Sequence, residues 1–205
     1  MKVVFDLETA KNPLAKSIID ELKLKPDSRL KDSEKIKASI QQKKDTKLDK
    51  AALFWGTGCV VHISATELHG EVKFSRSMAD CGGESGLLSE FSIFIQGATD
   101  LMGQNIKDFD IPYLIGRSIF HRLKVPFVLK NRSAHRDLYD TFGNPRYSSQ
   151  ACSLDMIANS LGIDSKVMDS ALIPALAEAG NWELIKEHCD QDVEITAEVF
   201  RRLGL

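Results

Sequence analysis

This sequence predicts an α/β fold built on a mixed sheet with helices on its faces, and three observations carry that expectation. The chain opens on a short, β-branched apolar run, Met1 to Leu7. Two more strand-like runs follow, separated by turn residues. Beyond residue 100 one short strand gives way to long stretches of helical periodicity. An antiparallel strand meander followed by strand–helix alternation packs most simply as a mixed sheet with helices laid against it. A length of 205 residues fits one domain, and 43% apolar residues suffice for a sizeable core.

Met1 to Leu7 reads as a central strand. Cys59 to Ser64 and Val72 to Ser75 read as the next two, with Leu68-His69-Gly70-Glu71 as the turn between them. Gly86 to Ile95 predicts a helix, because Leu87, Leu88, Phe91, Phe94 and Ile95 share one face. Asp100 to Gly103 predicts a further short strand. Helices are expected over Ile111–Leu123, Ser153–Leu161, Ser170–Ala179 and Trp182–Leu203.

Residues 11–50 differ in composition from the rest. They hold eleven Lys and one Arg against five Asp and two Glu, a net +5 in a chain whose total is −2. Asp32 can cap a helix in which Ile36, Ile40 and Leu48 keep near-helical spacing. The stretch reads as an insertion between the first and second strands. It is either a solvated surface helix or a rail for a polyanion.

Overall charge excludes little, since an enzyme that gathers acids in one cleft looks neutral as a whole. The four cysteines, Cys59, Cys81, Cys152 and Cys189, lack C-x-x-C spacing, which argues against a zinc knuckle and for reduced thiols. Lys2, Asp6 and Glu8 leave no apolar region for a signal peptide, and no run reaches the ~20 apolar residues of a membrane span. A cytoplasmic protein without a membrane partner is expected.

Four carboxylates in three places carry the chemistry. Asp6 and Glu8 lie two apart on a strand and so share a face, although a strand that ends at the surface would leave them merely solvated. Asp110 stands before Ile111-Pro112, where it could equally be a helix N-cap. His188 and Asp192 are spaced i, i+4 beside an apolar stripe of Ile185, Cys189, Val193, Thr196 and Phe200. A histidine there is either a packing residue or a general base, for which its ordinary pKa of ~6.5 is suited. Four acids are the oxygen donors that a pair of Mg²⁺ or Mn²⁺ ions needs, and such a pair clamps the attacking and leaving oxygens in phosphodiester cleavage.

These segments have the order of a known pattern. Phe5-Asp6-Leu7-Glu8-Thr9, Asn105 to Leu114 (Asn-Ile-Lys-Asp-Phe-Asp-Ile-Pro-Tyr-Leu) and His188-Cys189-Asp190-Gln191-Asp192-Val193 resemble the three motifs of the DEDD superfamily of 3′→5′ exonucleases. The second segment is especially similar to the proofreading domain of family B DNA polymerases. The resemblance implies a ribonuclease-H-like (DnaQ-like exonuclease) fold with a five-stranded mixed sheet and helices on both faces. It implies two Mg²⁺ or Mn²⁺ ions held by Asp6, Glu8, Asp110 and Asp192, with His188 as the group that deprotonates water. Leu7, Thr9, Asn105 and Phe109 would hold the terminal nucleotide. The third motif departs from the family, which pairs Tyr-x-x-x-Asp in one branch and His-x-x-x-x-Asp in the other. Here the histidine of one branch stands at the spacing of the other.

The expected activity is 3′→5′ exonucleolysis of single-stranded DNA to 5′-mononucleotides, by a free-standing nuclease or in trans with a replication or repair protein. An exoribonuclease or a catalytically weakened nucleic-acid-binding module are the alternatives. Two constellations stand apart. Asp137 and Asp140 have D-x-x-D spacing that reads as structural, and Lys166 could meet a phosphate or sit solvated in a loop. His62, His69, His121 and His135 have no ligand spacing among them.

Overall fold

The structure, a computed structural model, describes residues 1–70, 73–143, 152–164 and 168–205. Its strands are β1 (Lys2–Lys11), β2 (Gly58–Glu67), β3 (Lys73–Ser77), β4 (Asp100–Gly103) and β5 (His135–Asp137). Its helices are α1 (Ala15–Asp20), α2 (Ser33–Asp49), α3 (Glu84–Phe94), α4 (Asp110–Phe120), α5 (Phe127–Lys130), α6 (Leu138–Phe142), α7 (Leu154–Ser160), α8 (Ile173–Glu178) and α9 (Trp182–Arg202). The sheet order is β3-β2-β1-β4-β5, antiparallel from β3 to β1 and parallel from β1 to β5. A mixed five-stranded sheet therefore forms, with β1 at its centre.

The strand alternation of β1 divides the core in two. Val3, Phe5 and Leu7 pack with Leu87, Leu88 and Phe91 of α3 and Ile111, Tyr113 and Leu114 of α4. Val4, on the other side, packs with Met102, Ile157 of α7, and Val193 and Phe200 of α9. Farther along that side Ala10 meets Ile173 of α8 and Ile185 of α9. Helices cover both faces.

The strands run longer than their apolar runs predict. β1 continues to Lys11 because Thr9, Ala10 and Lys11 pair with Val60, Cys59 and Gly58, beyond a register shift between Glu8 and Thr9. β5, three residues long, has too short an alternation to register as a pattern. Val72, the first residue of the expected third strand, lies outside the described residues, and β3 extends to Ser77. The helix expected over Ser170–Ala179 is a 3₁₀ turn, Ser170–Leu172, followed by α8.

Between β1 and β2 the basic segment contains α1, which no pattern announced, and α2. The Asp32 carboxylate accepts from the backbone N–H groups of Glu34 and Lys35, as its capping position predicts. Nothing on α2 is fully buried, so its stripe of Ile36, Ile40 and Leu48 only rests on its neighbours. Among the described residues no helix is long and apolar enough to cross a membrane. All four cysteines are free thiols.

Candidate active site

Strand geometry sets the first two acids. Asp6 and Glu8 project from β1 toward α9, opposite Ser64 and His62 of β2. Glu8 is buried, so its charge must be met by the groups around it. The Ser64 hydroxyl donates to Asp190 Oδ1 of α9 at 2.5 Å, and Lys186 Nζ binds the other oxygen at 2.8 Å. Burial pulls the Asp190 carboxyl up, but these bonds outweigh it and hold it below the usual range. His62 Nε2 lies 3.1 Å from Ser64 Oγ and 3.3 Å from Ser75 Oγ, and burial pushes its pKa down to about 4. This polar ladder pins α9 to the sheet beside the acids.

On α9 the i, i+4 pair is turned inward as its spacing predicts. His188 and Asp192 are both buried, and His188 Nε2 lies 3.4 Å from Glu8 Oε1 and 4.0 Å from Asp192 Oδ2. The imidazole therefore stands closer to the strand acid than to the acid on its own helix. Cys189, one residue on, places its thiol 3.5 Å from both the carbonyl and the Oδ2 of Asp6. Burial first, then the charges of Asp6 and Glu8, raise that thiol well above its ordinary pKa, so it stays protonated as a weak donor. Cys189 belongs to the apolar stripe of α9, and its position one residue after His188 is the signal for its presence at the site.

Asp110 opens α4 as its first helical residue, and Phe109, which precedes it, caps nothing with its side chain. The N-cap role open to Asp110 is thus not the one it plays. Burial and the neighbouring Asp6 charge push its carboxyl well above the usual range, against hydrogen bonds from its own backbone and that of Leu7. The preceding loop is held by Asp137 at the end of β5. Its carboxylate accepts from Asn105 N at 2.7 Å, Lys107 N at 2.9 Å and Tyr139 N at 2.9 Å. Asn105 sits at φ 59°, a left-handed backbone that this bond helps fix. Lys107 Nζ binds Asp140 at 2.5 Å. The D-x-x-D pair is structural, as its spacing suggested, and what it builds is the loop that delivers Asp110.

These segments line one cleft of about 600 Å³. Asp6, Glu8, Asp110 and Asp192 face it, and so do Leu7, Thr9, Asn105 and Phe109. Tyr113 packs on Phe109 at 5.4 Å between ring centres. Asp49 at the end of the basic segment and Ala52 and Leu53 of the turn that follows line the cleft as well, as does Asp169 before α8. Nothing in the sequence pattern pointed to these. Lys166 lies outside the described residues. The remaining histidines are occupied elsewhere: His69 at Leu205 O, His121 at Glu84 and His135 at Val128 O.

The donor set fits hard divalent cations. Single ligand atoms of Glu8, His188 and Asp192 lie within 4.8 Å of one another, as do those of Asp6, Glu8 and Cys189. Asp110, pushed up by burial first and then by the Asp6 charge, faces the same cleft, and a cation would stabilise carboxylates gathered in this way.

The sequence matches no family model and no curated protein. Among solved structures the fold is similar to a family B DNA polymerase from the hyperthermophilic archaeon Pyrobaculum calidifontis, with a TM-score of 0.59 and 15% identity. The match covers 98% of this chain and 24% of the polymerase chain. The chain thus has the fold of about a quarter of that polymerase. At this identity the likeness speaks to architecture alone.

Proposed function

We propose that this chain is a metal-dependent 3′→5′ exonuclease of the DEDD type, with a ribonuclease-H-like fold, acting on single-stranded DNA. The observation that carries the reading is convergence. Acids from β1, α4 and α9, 82 or more residues apart from segment to segment, share one cleft, with the buried His188 imidazole 3.4 Å behind Glu8. A structural core needs no such arrangement, because each buried acid is costly without a cation or partner.

Asp6, Glu8, Asp110 and Asp192 would hold the two Mg²⁺ or Mn²⁺ ions. Bound there, such ions lower the pKa of water and neutralise charge developing on phosphate oxygens. His188 Nε2, the ring nitrogen facing Glu8 and Asp192, accepts the proton of the attacking water. Water adds to phosphorus, the bond to the 3′-oxygen breaks, and that oxygen takes a proton from solvent to leave as the new 3′-hydroxyl, while the His188 imidazolium returns its proton to solvent. The product is a 5′-mononucleotide. Phe109, Asn105, Leu7 and Thr9 line the space where the terminal nucleotide would sit.

The test is digestion of 5′-labelled single-stranded DNA and matched RNA with Mg²⁺ or Mn²⁺, alongside Asp6→Ala and His188→Ala. A metal-dependent ladder that shortens from the 3′ end, and is lost in Asp6→Ala, is expected. The faster strand names the substrate, and residual activity in His188→Ala measures the imidazole. No digestion with either metal would sink the proposal.

A further inference from the structure

Leu53, Phe54 and Trp55 are three consecutive large apolar residues that stand 63%, 55% and 40% exposed. Such a run costs solvation and invites association, so it is ordinarily kept off a surface unless it serves a contact. It does not belong to a loose loop. Tyr113 OH donates to Ala52 O at 2.9 Å, Arg117 Nη1 donates to Trp55 O at 3.1 Å, and Thr57 Oγ1 donates to Ala51 O at 3.0 Å. Arg117 is itself fixed by a buried pair of bonds to Glu84, at 2.8 and 2.6 Å. The rings of Phe54 and Trp55 are 5.4 Å apart and tilted by 39°.

Trp55 lies against Gly116 of α4 so closely that a Cβ there would collide with the indole. Gly58 is equally constrained, since a Cβ would strike the Tyr113 hydroxyl on its way to Ala52. The helix that begins with Asp110 therefore holds the exposed aromatic pair three and seven residues farther along, through Tyr113 and Arg117. The aromatic pair and the acid wall keep a fixed relation through one rigid element.

Two further facts select the occupant. Leu53 and Ala52 line the cleft that contains the four acids, so the apolar run is continuous with it. The end of α2 joins the run directly, since Leu53 N donates to Lys50 O at 3.0 Å, and Lys47 and Lys50 are exposed there. An aromatic surface beside cationic side chains, leading out of an acid-lined cleft, matches single-stranded nucleic acid, whose bases stack and whose phosphates are anionic.

We propose that Phe54 and Trp55 form a stacking platform for the bases of a single strand as it leaves the cleft, with Lys47 and Lys50 beside its phosphates. This rests on the nuclease reading for the direction of the strand, but the stacking itself is testable without cleavage. Stacking is indifferent to base identity, so the platform gives grip on a strand without sequence preference.

The experiment uses the Trp182→Phe protein, in which Trp55 is the sole tryptophan. It is titrated in EDTA with dT20 and with a 20-mer of abasic residues that keeps the phosphates and lacks the bases. Indole emission is expected to fall with dT20 and to hold with the abasic strand. In Phe54→Leu, whose exposed ring can be removed without opening the core, the preference for dT20 over the abasic strand is expected to shrink about tenfold. Equal quenching by both strands, or none, overturns the platform. Digestion by the wild-type chain combined with no quenching leaves the nuclease reading standing and removes this one. Quenching without digestion in any metal keeps the platform and removes the nuclease. Self-association lost in Phe54→Leu, with no quenching, would assign the patch to a protein contact and overturn the platform.

Discussion

On α9, ten residues between Ile185 and Phe200 are buried against the sheet, whereas α2, of comparable length, buries none. Both are helices with clear sequence signals, but different physics holds them. α9 is set by packing on β1 and β2 and by the ladder through Asp190, so the directions of His188 and Asp192 follow from which face is buried. α2 is set by its Asp32 cap, by helix-forming residues and by two lysines: Lys43 Nζ reaches Lys25 O at 2.7 Å, and Lys44 Nζ reaches Asp20 Oδ1 at 3.1 Å. Precision at the acids comes from burial, and the basic segment has no such constraint. The aromatic run at its end is the exception, because α4 grips it.

The sharpest way to probe the buried side is Asp110→Asn. The proposed activity should fall by at least about 10³-fold, the scale of losing a group that meets developing charge. Stability without metal should rise by about 0.5–2 kcal/mol, because an amide relieves the desolvated charge that faces Asp6. Digestion assays and thermal melts on the same preparations would read both. A fall in both would mean that Asp110 is a structural acid.

Packing supplies the next contrast. Phe200→Ala should cost about 3–5 kcal/mol, since the ring is 1% exposed in the α9 core. Ile40→Ala on α2 should cost less than about 1 kcal/mol. Denaturant midpoints measure both, and similar losses would erase the distinction between the two helices.

How much of this was legible in the sequence follows the same division. The three acid-bearing segments and the stripe on α9 were readable because burial imposes a period, and Asp32 because capping is local. The capping role of Asp137 toward Tyr139 is equally local, but its grip on Asn105 and Lys107 joins β5 to a loop some thirty residues away. No local pattern records such a contact. β5 itself, the extension of β1 to Lys11 and the thiol of Cys189 beside Asp6 are likewise consequences of pairing and packing between distant segments. Leu53, Phe54 and Trp55 carry no periodic signal, and only the structure shows that all three are exposed and that Leu53 lines the cleft.

Acid should distinguish the two regions next. His62 carries a folded pKa of about 4, depressed by burial from an ordinary 6.5. The unfolded chain takes up this proton as pH falls through 6.5, while the native chain resists until about 4. The contribution of neutral His62 is thus fully present above pH 6.5 and is lost between 6.5 and 4, up to about 3 kcal/mol. His62→Gln should flatten that part of the stability–pH curve. An unaltered slope would mean that His62 is solvated and that the ladder beneath α9 is open to water.

The smallest effect concerns the lysines, and it tests whether exposure on α2 has a use. Lys43 and Lys44 are tied to the chain near residues 20–25, while Lys47 and Lys50 are exposed beside the aromatic run. If the last two meet phosphates, Lys47→Ala with Lys50→Ala should reduce the slope of log affinity against log salt by about 1.4, that is ~0.7 for each phosphate contact on a single strand. Lys43→Ala with Lys44→Ala should change the slope less and destabilise the segment more, because those ammonium groups already hold backbone oxygens. Affinity for dT20 across a salt series, with melts on each variant, separates the two roles. Equal slopes for both double variants would make the segment a diffuse positive field, whereas unequal slopes locate the strand at the end of α2 nearest the cleft.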